Sequence, residues 1–359
     1  MFLLSLKNHF NQNKQIMESK KWIIAIVFLC VARFTSAQSK PIDDKEFFKD
    51  DKIIEVKLAT DIRGLLAEKK DLNYIGATAS FKFQDGTVAS GPVQVKPRGN
   101  FRKNQCRMAS LMINFKNPAS PVFSKLGTLK LVGGCSATAS SEQYLLKEYL
   151  VYKMYNMLTD LSFRVRLLHV NYSDTRDKIK AYDQYAFLIE DVDDLAKRNK
   201  CQEKEKTLYS PASMRREEAT LFFLFQYMIG NTDWSIPYYH NVKLLVDKKD
   251  TLTFPYPIAY DFDICGLVNP PYGTPPPELG IAHLTERLYR GYMRSMEEIE
   301  IAVKPFLEKE ESFYSLINNF DLLTPKSKKD MIGFLKEFYA DIKSTKELKR
   351  IFVDNAIKN

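Results

Sequence analysis

Residues 219–229 read ATLFFLFQYMI. At helical spacing this run is apolar almost all the way round, and a helix without a polar face has to be surrounded by other elements. It is therefore expected to be the spine of a larger, mainly helical region, with Gly230 ending it. The chain that leaves this buried place, residues 230–266, opens GNTDWSIPYYHN, continues through a two-strand stretch over 242–259 and closes on YDFDICG. Asp233, Asn241, Asp261 and Asp263 are flanked closely by apolar residues, a costly setting for a carboxylate that lacks a partner or a metal. That grouping is the main pointer to function.

The amino terminus carries a different signal. Met17-Glu-Ser-Lys-Lys precedes the apolar run 22–31, and Thr35-Ser-Ala37 follows. A basic start, an apolar centre and a small-residue cleavage site make an export signal. Met17 is then the expected start, residues 1–16 an upstream over-extension, and Gln38 the first mature residue. About 10–14 apolar residues fall short of a bilayer span, so no transmembrane segment is expected once the signal is removed. The destination would be the periplasm, cell surface or exterior of a bacterial cell. Removing residues 1–37 takes away five Lys/Arg and one Glu, and lowers the formal charge from +9 to +5. A modest positive balance suits anionic ligands and does not call for nucleic acid. Cys106, Cys135, Cys201 and Cys265 remain, with no CxxC pair, so disulfides are allowed, their pairing is open, and a zinc site is disfavoured.

Residues 38–52 read as a charged lead-in arm. Short alternating runs over 53–132, punctuated by Asp85-Gly86 and Gly99-Asn100, describe a small antiparallel sheet. Ser140-x-x-Gln143 resembles a capping box and opens a helix that reaches Leu158. Glu148 lies there on the stripe of Tyr144, Val151, Tyr152 and Tyr155, either at the edge of the helix or reaching toward a cation on the preceding sheet. Two more strands are expected at 163–171 and 184–189, then a charged connection or short helix over 191–207. Ser210-Pro211 should start the spine helix. Residues 268–280 are a proline-rich loop, and helices are expected at 281–304, 308–320, 327–343 and 345–357. The fold class is α+β, with a first lobe at 38–190 and a helical second lobe at 191–359.

A carboxylate after a buried helix, an Asn, a hairpin and a second carboxylate pair form a layout that phosphoryl transfer can use. That reaction needs a group that orients a hydroxyl and accepts its proton, with oxygen ligands to hold magnesium against nucleotide phosphates. Asp233 suits the first task, and Asn241 with Asp261 or Asp263 suits the second. The structural alternatives are that Asp233 is a cap or turn residue, that His240 is structural, and that Trp234, Tyr238 and Tyr239 are core or pocket wall.

Four stretches in order, VKPRGNFRK at 95–103, AFLIED at 186–191, Asn231-x-Asp233 with Asn241, and AYDFD at 259–263, resemble the CotH kinase-like family, named for a spore-coat protein kinase. The resemblance covers roughly residues 94–266. It implies a bilobal, atypical protein-kinase-like fold with ATP and Mg (or Mn) between the lobes, and transfer of the γ-phosphate to a hydroxyl of a protein or other exported substrate. By that resemblance Asp233 is the catalytic Asp, Asn241 a metal ligand, and Asp263 or its competitor Asp261 the metal-binding Asp. Arg98, Gly99 and Asn100 form the turn near the phosphates. Lys130, with Lys116 and Arg107 as alternatives, would pair with Glu148. Residues 186–190, ending at Glu190, would be a hinge that bonds adenine through its backbone. The chain departs from the family after the RGN turn, where Asn104-Gln105-Cys106-Arg107-Met108 stands in place of paired lysines. A catalytically inactive surface or envelope interaction protein is the alternative reading.

Overall fold

The computed structural model describes residues 42, 44–67, 73–99, 110–117, 119–136, 138–204 and 209–358. The export signal and its cleavage point, Asn100 and the 104–108 departure lie outside the described residues. Residues Pro41–Asn359 form one compact unit.

The alternating runs become strands because one face of each is apolar. In β1 (Ile54–Thr60) buried residues alternate with more exposed ones, and β2 (Ile75–Lys82) and β3 (Val88–Arg98) repeat the pattern. The Asp85-Gly86 turn joins β2 to β3, with Thr87 N–H donating to Asp85 Oδ1 at 2.8 Å and Gly86 at φ 84°. β4 (Ser110–Asn114), β5 (Thr128–Gly133), β6 (Val165–Asp174) and β7 (Tyr182–Ile189) complete the set.

These strands do not make the expected open antiparallel sheet of a bilobal, kinase-like first lobe. Among the described residues seven strands close into a mixed barrel in the order β1-β2-β3-β4-β5-β7-β6. Closure comes from β1 pairing parallel with β6, Ile54 opposite Leu168 through Thr60 opposite Asp174. The remaining neighbours are antiparallel. Partners more than a hundred residues apart leave no mark on local periodicity, which is why two separate strand sets looked like an open sheet.

The arm that was expected to be irregular contributes α1 (Asp44–Phe47), and both Phe47 and Phe48 are buried. Buried Arg166 on β6 holds it, donating to Phe47 O at 3.2 Å and pairing with Asp50 at 3.1 Å. Inside the barrel Phe81, Phe115 and Phe123 meet with centroids 5.3–5.9 Å apart. A short helix, α2 (Ile62–Ala67), follows β1 and adds buried Ile62 and Leu65 to the same core.

α3 (Ala139–Leu158) lies against β6 and β7. Its cap is Thr138, whose side chain accepts from Ser141 N–H, so the helix starts just before the Ser140 expected from the capping-box pattern. Leu168, Val170, Ala186 and Leu188 face the barrel core, while Val165, Leu167, Phe187 and Ile189 on the same two strands join a second core around α3. Two strands buried on both faces thus separate two cores.

The second core contains α5 (Arg216–Met228), α6 (Met296–Asn318) and α7 (Pro325–Lys343). α5 is the expected buried spine, but Ser210-Pro211 starts only a short 3₁₀ turn and α5 begins later without a side-chain cap. α4 (Val192–Arg198) precedes a strand that was not expected, β8 (Cys201–Glu203), which joins β9 (Val242–Asp247) and β10 (Tyr256–Ala259) in a separate three-stranded sheet. Residues 281–295 hold no helix. α6 runs through Pro305 where two helices were expected, and α8 (Thr345–Lys349) with a π turn over Arg350–Asp354 ends the fold. Cys135 is disulfide-bonded, and Cys201 and Cys265 are buried free thiols. No helix among the described residues is long and apolar enough to cross a membrane.

Candidate active site

The stretch 230–266 is pinned at its base. Gly230 has φ 64°, and a Cβ there would lie 2.8 Å from Phe334 Cζ and 3.3 Å from Gly266 Cα. Gly266 N–H donates to Gly230 O at 3.0 Å and Leu267 N–H to Ile229 O at 2.9 Å, beside an antiparallel bridge of Asn231 with Cys265. Asp233 lies two residues after that bridge on one side and Asp263 two residues before it on the other. The bridge ties the two ends of the stretch together, although the sequence separates them by the whole hairpin.

Asn231 organises the turn. Its Nδ2 donates to Gln226 Oε1 at 2.9 Å, its Oδ1 accepts from Asp233 N–H at 2.9 Å, and its carbonyl accepts from Trp234 Nε1 at 3.1 Å. Residues 235–240 form a small loop closed by reciprocal backbone bonds between Ser235 and His240, both 2.9 Å. The loop returns the chain to Asp233. Asn241 Nδ2 donates to Asp233 Oδ2 at 3.0 Å and to Asp233 O at 2.8 Å, and His240 Nε2 lies 2.8 Å from Asp233 Oδ1. Because the amide nitrogen of Asn241 is turned toward Asp233, its oxygen points away from that carboxylate. Asn241 adopts φ 53° and accepts from Tyr260 N–H through its carbonyl at 3.1 Å, which ties it to the start of the YDFD segment.

In that segment Asp261 has φ 65°, a conformation that side chains other than glycine adopt at a cost. Its N–H donates to Tyr152 Oη at 2.8 Å. Phe262 between the two aspartates is fully buried against Tyr152, Tyr155 and Phe225, centroids 4.6, 6.3 and 5.6 Å away. Asp263 is buried as well. α3 also touches the chain just beyond this segment through Lys147 Nζ, which donates to Val268 O at 3.4 Å.

The remaining candidates divide into two groups. Lys130, Arg98, Glu148, Asp261 and Asp263 belong to one electrostatic neighbourhood. Burial, and then the charges of Arg98 and Lys243, lower Lys130 to about 8, against the opposing pull of Asp261 and Asp191. Its ammonium lies 4.7 Å from the centroid of the Tyr260 ring. Burial, followed by Glu148 and Asp261, raises the Tyr152 hydroxyl well above its ordinary value. Burial pushes the Cys265 thiol up to about 12, and Glu148 and Asp263 add to it. Glu148 is thus a buried carboxylate on the inner face of α3, and not at the helix edge. The carboxylates that act most strongly on Lys130 are Asp261 and Asp191.

Glu190 belongs to the other group. Its carboxylate accepts from Arg198 Nε at 2.9 Å, Arg198 Nη2 at 3.0 Å and Arg164 N–H at 3.0 Å, and its own N–H donates to Arg164 O. Residues 186–189 are laddered to β5 on one side and β6 on the other. Gly99, at φ 86°, makes the left-handed turn at the end of β3, where Arg98 pairs with Ser110.

One residue near the site carried no sequence signal. Arg290 donates from Nη1 to Thr232 O at 2.7 Å and Trp234 O at 2.9 Å, with its guanidinium 4.7 Å from the Trp234 ring centroid. It grips the backbone on both sides of Asp233. A helix was expected over 281–304, whereas the non-helical course of 281–295 lets Arg287, Arg290 and Arg294 each donate to a main-chain carbonyl. A cavity of about 400 Å³ lies elsewhere, between the start of α5 and α6, and two of the charged groups that line it, Arg216 and Glu298, are bonded to each other.

Among the described residues no group of three or more His, Cys, Asp or Glu is arranged to hold a metal ion. No family model and no curated protein matches the chain, so the CotH resemblance rests on the four stretches alone. A solved structure, the crystal structure of a Helicobacter pylori proinflammatory kinase, CtkA, is similar at 9% identity with a TM-score of 0.39, over 67% of this chain and 94% of that one. A likeness that slight carries no argument.

Proposed function

We propose that this protein transfers the γ-phosphate of ATP to a hydroxyl of a protein or other exported substrate, with Asp233 as the residue that receives the acceptor. The observation that carries this reading is the Asp233–Asn241 pair: Asn241 Nδ2 donates to the Asp233 carboxylate, and the Asn231–Cys265 bridge ties that end of the stretch to the end that carries Asp263. The donor set fits a magnesium ion, which takes one or two carboxylates with phosphate and water oxygens. Asn241, with its amide oxygen turned away from Asp233, and Asp263 would hold it, with Asp261 as the competing ligand. Bound there, the ion would offset the charge of the nucleotide phosphates.

The chain's own part follows from the geometry. Asp233 is held by Asn231, Asn241 and the Arg290 grip, so it can orient a hydroxyl without first becoming ordered. As the oxygen–phosphorus bond to the acceptor forms and the bond to ADP breaks, the hydroxyl proton passes to the Asp233 carboxylate. Lys130 and Arg98 supply positive charge for phosphate oxygens. The 2.8 Å contact of His240 with Asp233 supports a second assignment of the proton acceptor, in which Asp233 orients His240 and the imidazole takes the proton. The disulfide at Cys135 is chemistry at home in an oxidising compartment, which supports export.

Purified protein incubated with labelled ATP, Mg²⁺ or Mn²⁺, and casein or itself is expected to incorporate label. Label no greater than that of the Asp263→Ala variant would count against kinase activity. His240→Gln separates the two acceptors, because it should abolish transfer only if the imidazole is the base.

A further inference from the structure

The β9–β10 turn, residues 248–255, connects two strands of the three-stranded sheet and carries exposed apolar side chains. Leu252 is 94% exposed and Phe254 60% exposed, the former among the most exposed large apolar side chains in the described structure. The polar groups of the turn are spent on its backbone. Asp247 Oδ1 accepts from Lys249 N–H at 2.7 Å, Asp250 Oδ1 from Leu252 N–H at 3.2 Å, and Asp250 O from Thr253 Oγ1 at 2.8 Å. Lys204 Nζ donates to Thr251 O at 3.2 Å, and Arg215 N–H to Pro255 O at 2.9 Å. Leu252 and Phe254 are therefore held out on a braced turn and not on a loose loop.

The collar around the pair is basic. Lys248, Lys249 and Lys200 are exposed, and Lys248 N–H donates to Lys200 O at 3.0 Å, which brings the two lysines side by side. Among the described residues none of these three ammonium groups is in an ion pair. Asp247 and Asp250 accept main-chain N–H groups and keep their charge, so with three lysines against two carboxylates the collar is net positive by one.

We propose that this turn is a membrane-docking finger, in which Leu252 and Phe254 enter the interface of an anionic bilayer while Lys200, Lys248 and Lys249 lie at its headgroups. Charge complementarity selects the occupant: basic residues beside an exposed apolar tip match an anionic lipid surface. A protein partner fits less well, because a tip of two side chains is far smaller than the roughly 800 Å² that each side of a stable protein interface buries. The inference does not depend on the phosphotransfer reading, since the turn includes none of Asp233, Asn241, Asp261 and Asp263.

The test is co-sedimentation of the full protein with vesicles of phosphatidylcholine alone or with about a third phosphatidylglycerol. Binding is expected to the anionic vesicles, weakening as salt shortens the reach of the lysine charges. Leu252→Ser with Phe254→Ser should lower the affinity at least about thirtyfold, and each of Lys248→Gln and Lys249→Gln about fivefold. All four positions are exposed, so a thermal melt close to that of the wild type confirms that folding is intact. A Phe254→Trp variant should show emission that brominated lipid quenches, over and above the wild-type signal. Failure of the wild type to bind, equal binding to neutral vesicles, unchanged binding by the double serine variant, or added emission from the Phe254→Trp variant that brominated lipid leaves unquenched would each overturn the proposal.

Discussion

The two cores of this molecule are built from different chemistry. The barrel core is filled by aliphatic side chains and phenylalanines, with Tyr172 its only buried tyrosine among the described residues. The core around α3 and α5 is rich in tyrosines, including Tyr149, Tyr152, Tyr155, Tyr227, Tyr289 and Tyr339, and buried Glu148, Gln226, Asn231, Asn241 and Asp263 border it. A tyrosine fills space as phenylalanine does and also offers a hydroxyl to a polar group that water cannot reach. Tyr152 does so for the amide of Asp261, and Tyr339 donates to Phe306 O at 3.1 Å. The barrel therefore stores stability in volume, and the second core stores it in volume plus a polar network that positions the candidate site. β6 and β7 serve both, which makes them the wall through which damage to one core could reach the other.

The largest expected effect tests the barrel as a pure packing element. Phe123→Ala removes a fully buried ring from the Phe81–Phe115–Phe123 cluster and should cost about 4 kcal/mol, read from denaturant unfolding. Phe123→Leu keeps most of the volume and should cost less than about 1.5 kcal/mol. If the two cores are as distinct as their compositions, the leucine variant should leave any activity of the site unchanged.

Lys130 is the point where the barrel carries a charge to the site side. Burial lowers it to about 8, so the folded chain holds fewer protons than the unfolded one between about 8 and its ordinary 10.5. The sign follows from linkage: the cost of burying the ammonium is present in full below about pH 8, and stability gains from this residue as pH rises through that window. Lys130→Met should raise stability by about 2 kcal/mol at pH 7, after allowance for the lost contact with the Tyr260 ring, and should remove the gain at high pH. It should also weaken nucleotide binding, measured by titration calorimetry. In the wild type that binding should decline as pH rises through about 8.

How much of this was legible in the sequence follows the range of the interactions. The spine helix, the β9–β10 hairpin and most barrel strands were readable because burial imposes its period locally. Closure of the barrel was not, since the β1–β6 pairing depends on where α3 delivers the chain. The grouping of Asp233, Asn241 and Asp263 could be suspected from their apolar neighbours. The hydrogen bonds that join Asn241 to Asp233 could not, and neither could Arg290, whose role exists only because residues 281–295 hold no helix. Glu148 was visible as a carboxylate in an apolar stripe, whereas the partnership of Tyr152 with Asp261 needed two turns of tertiary packing to appear.

That partnership gives the next smaller effect. Tyr152→Phe retains the ring against Phe262 and removes the oxygen that accepts Asp261 N–H. A buried donor left without its acceptor should cost about 1.5 kcal/mol. Because Asp261 sits at φ 65°, the loss should also loosen its segment, visible as faster amide exchange at Asp261 and Phe262 with little change at β1–β4. Uniform acceleration across both cores would mean that the wall of β6 and β7 does not separate them.

The smallest effect concerns the surface joint between α5 and α6. Arg216 grips Glu298 through two contacts, one of them Nη2 to Oε2 at 2.9 Å, and Glu298 also accepts from Ser295 N–H at 2.8 Å as part of a capping box. The Arg216 hydrogen bond leads the causes that hold the Glu298 carboxyl at about 2. Its stabilising contribution is present above the ordinary value near 4.5 and is lost as pH falls through about 2. Both side chains face water, so the pair is screened and the size of the shift overstates its worth. Glu298→Gln leaves an oxygen for the cap and removes only the charge, so it should cost about 0.5 kcal/mol at pH 7. The stabilities of variant and wild type should converge toward pH 2. A cost several times larger would place this joint, and not the tyrosine network, among the main supports of the second core.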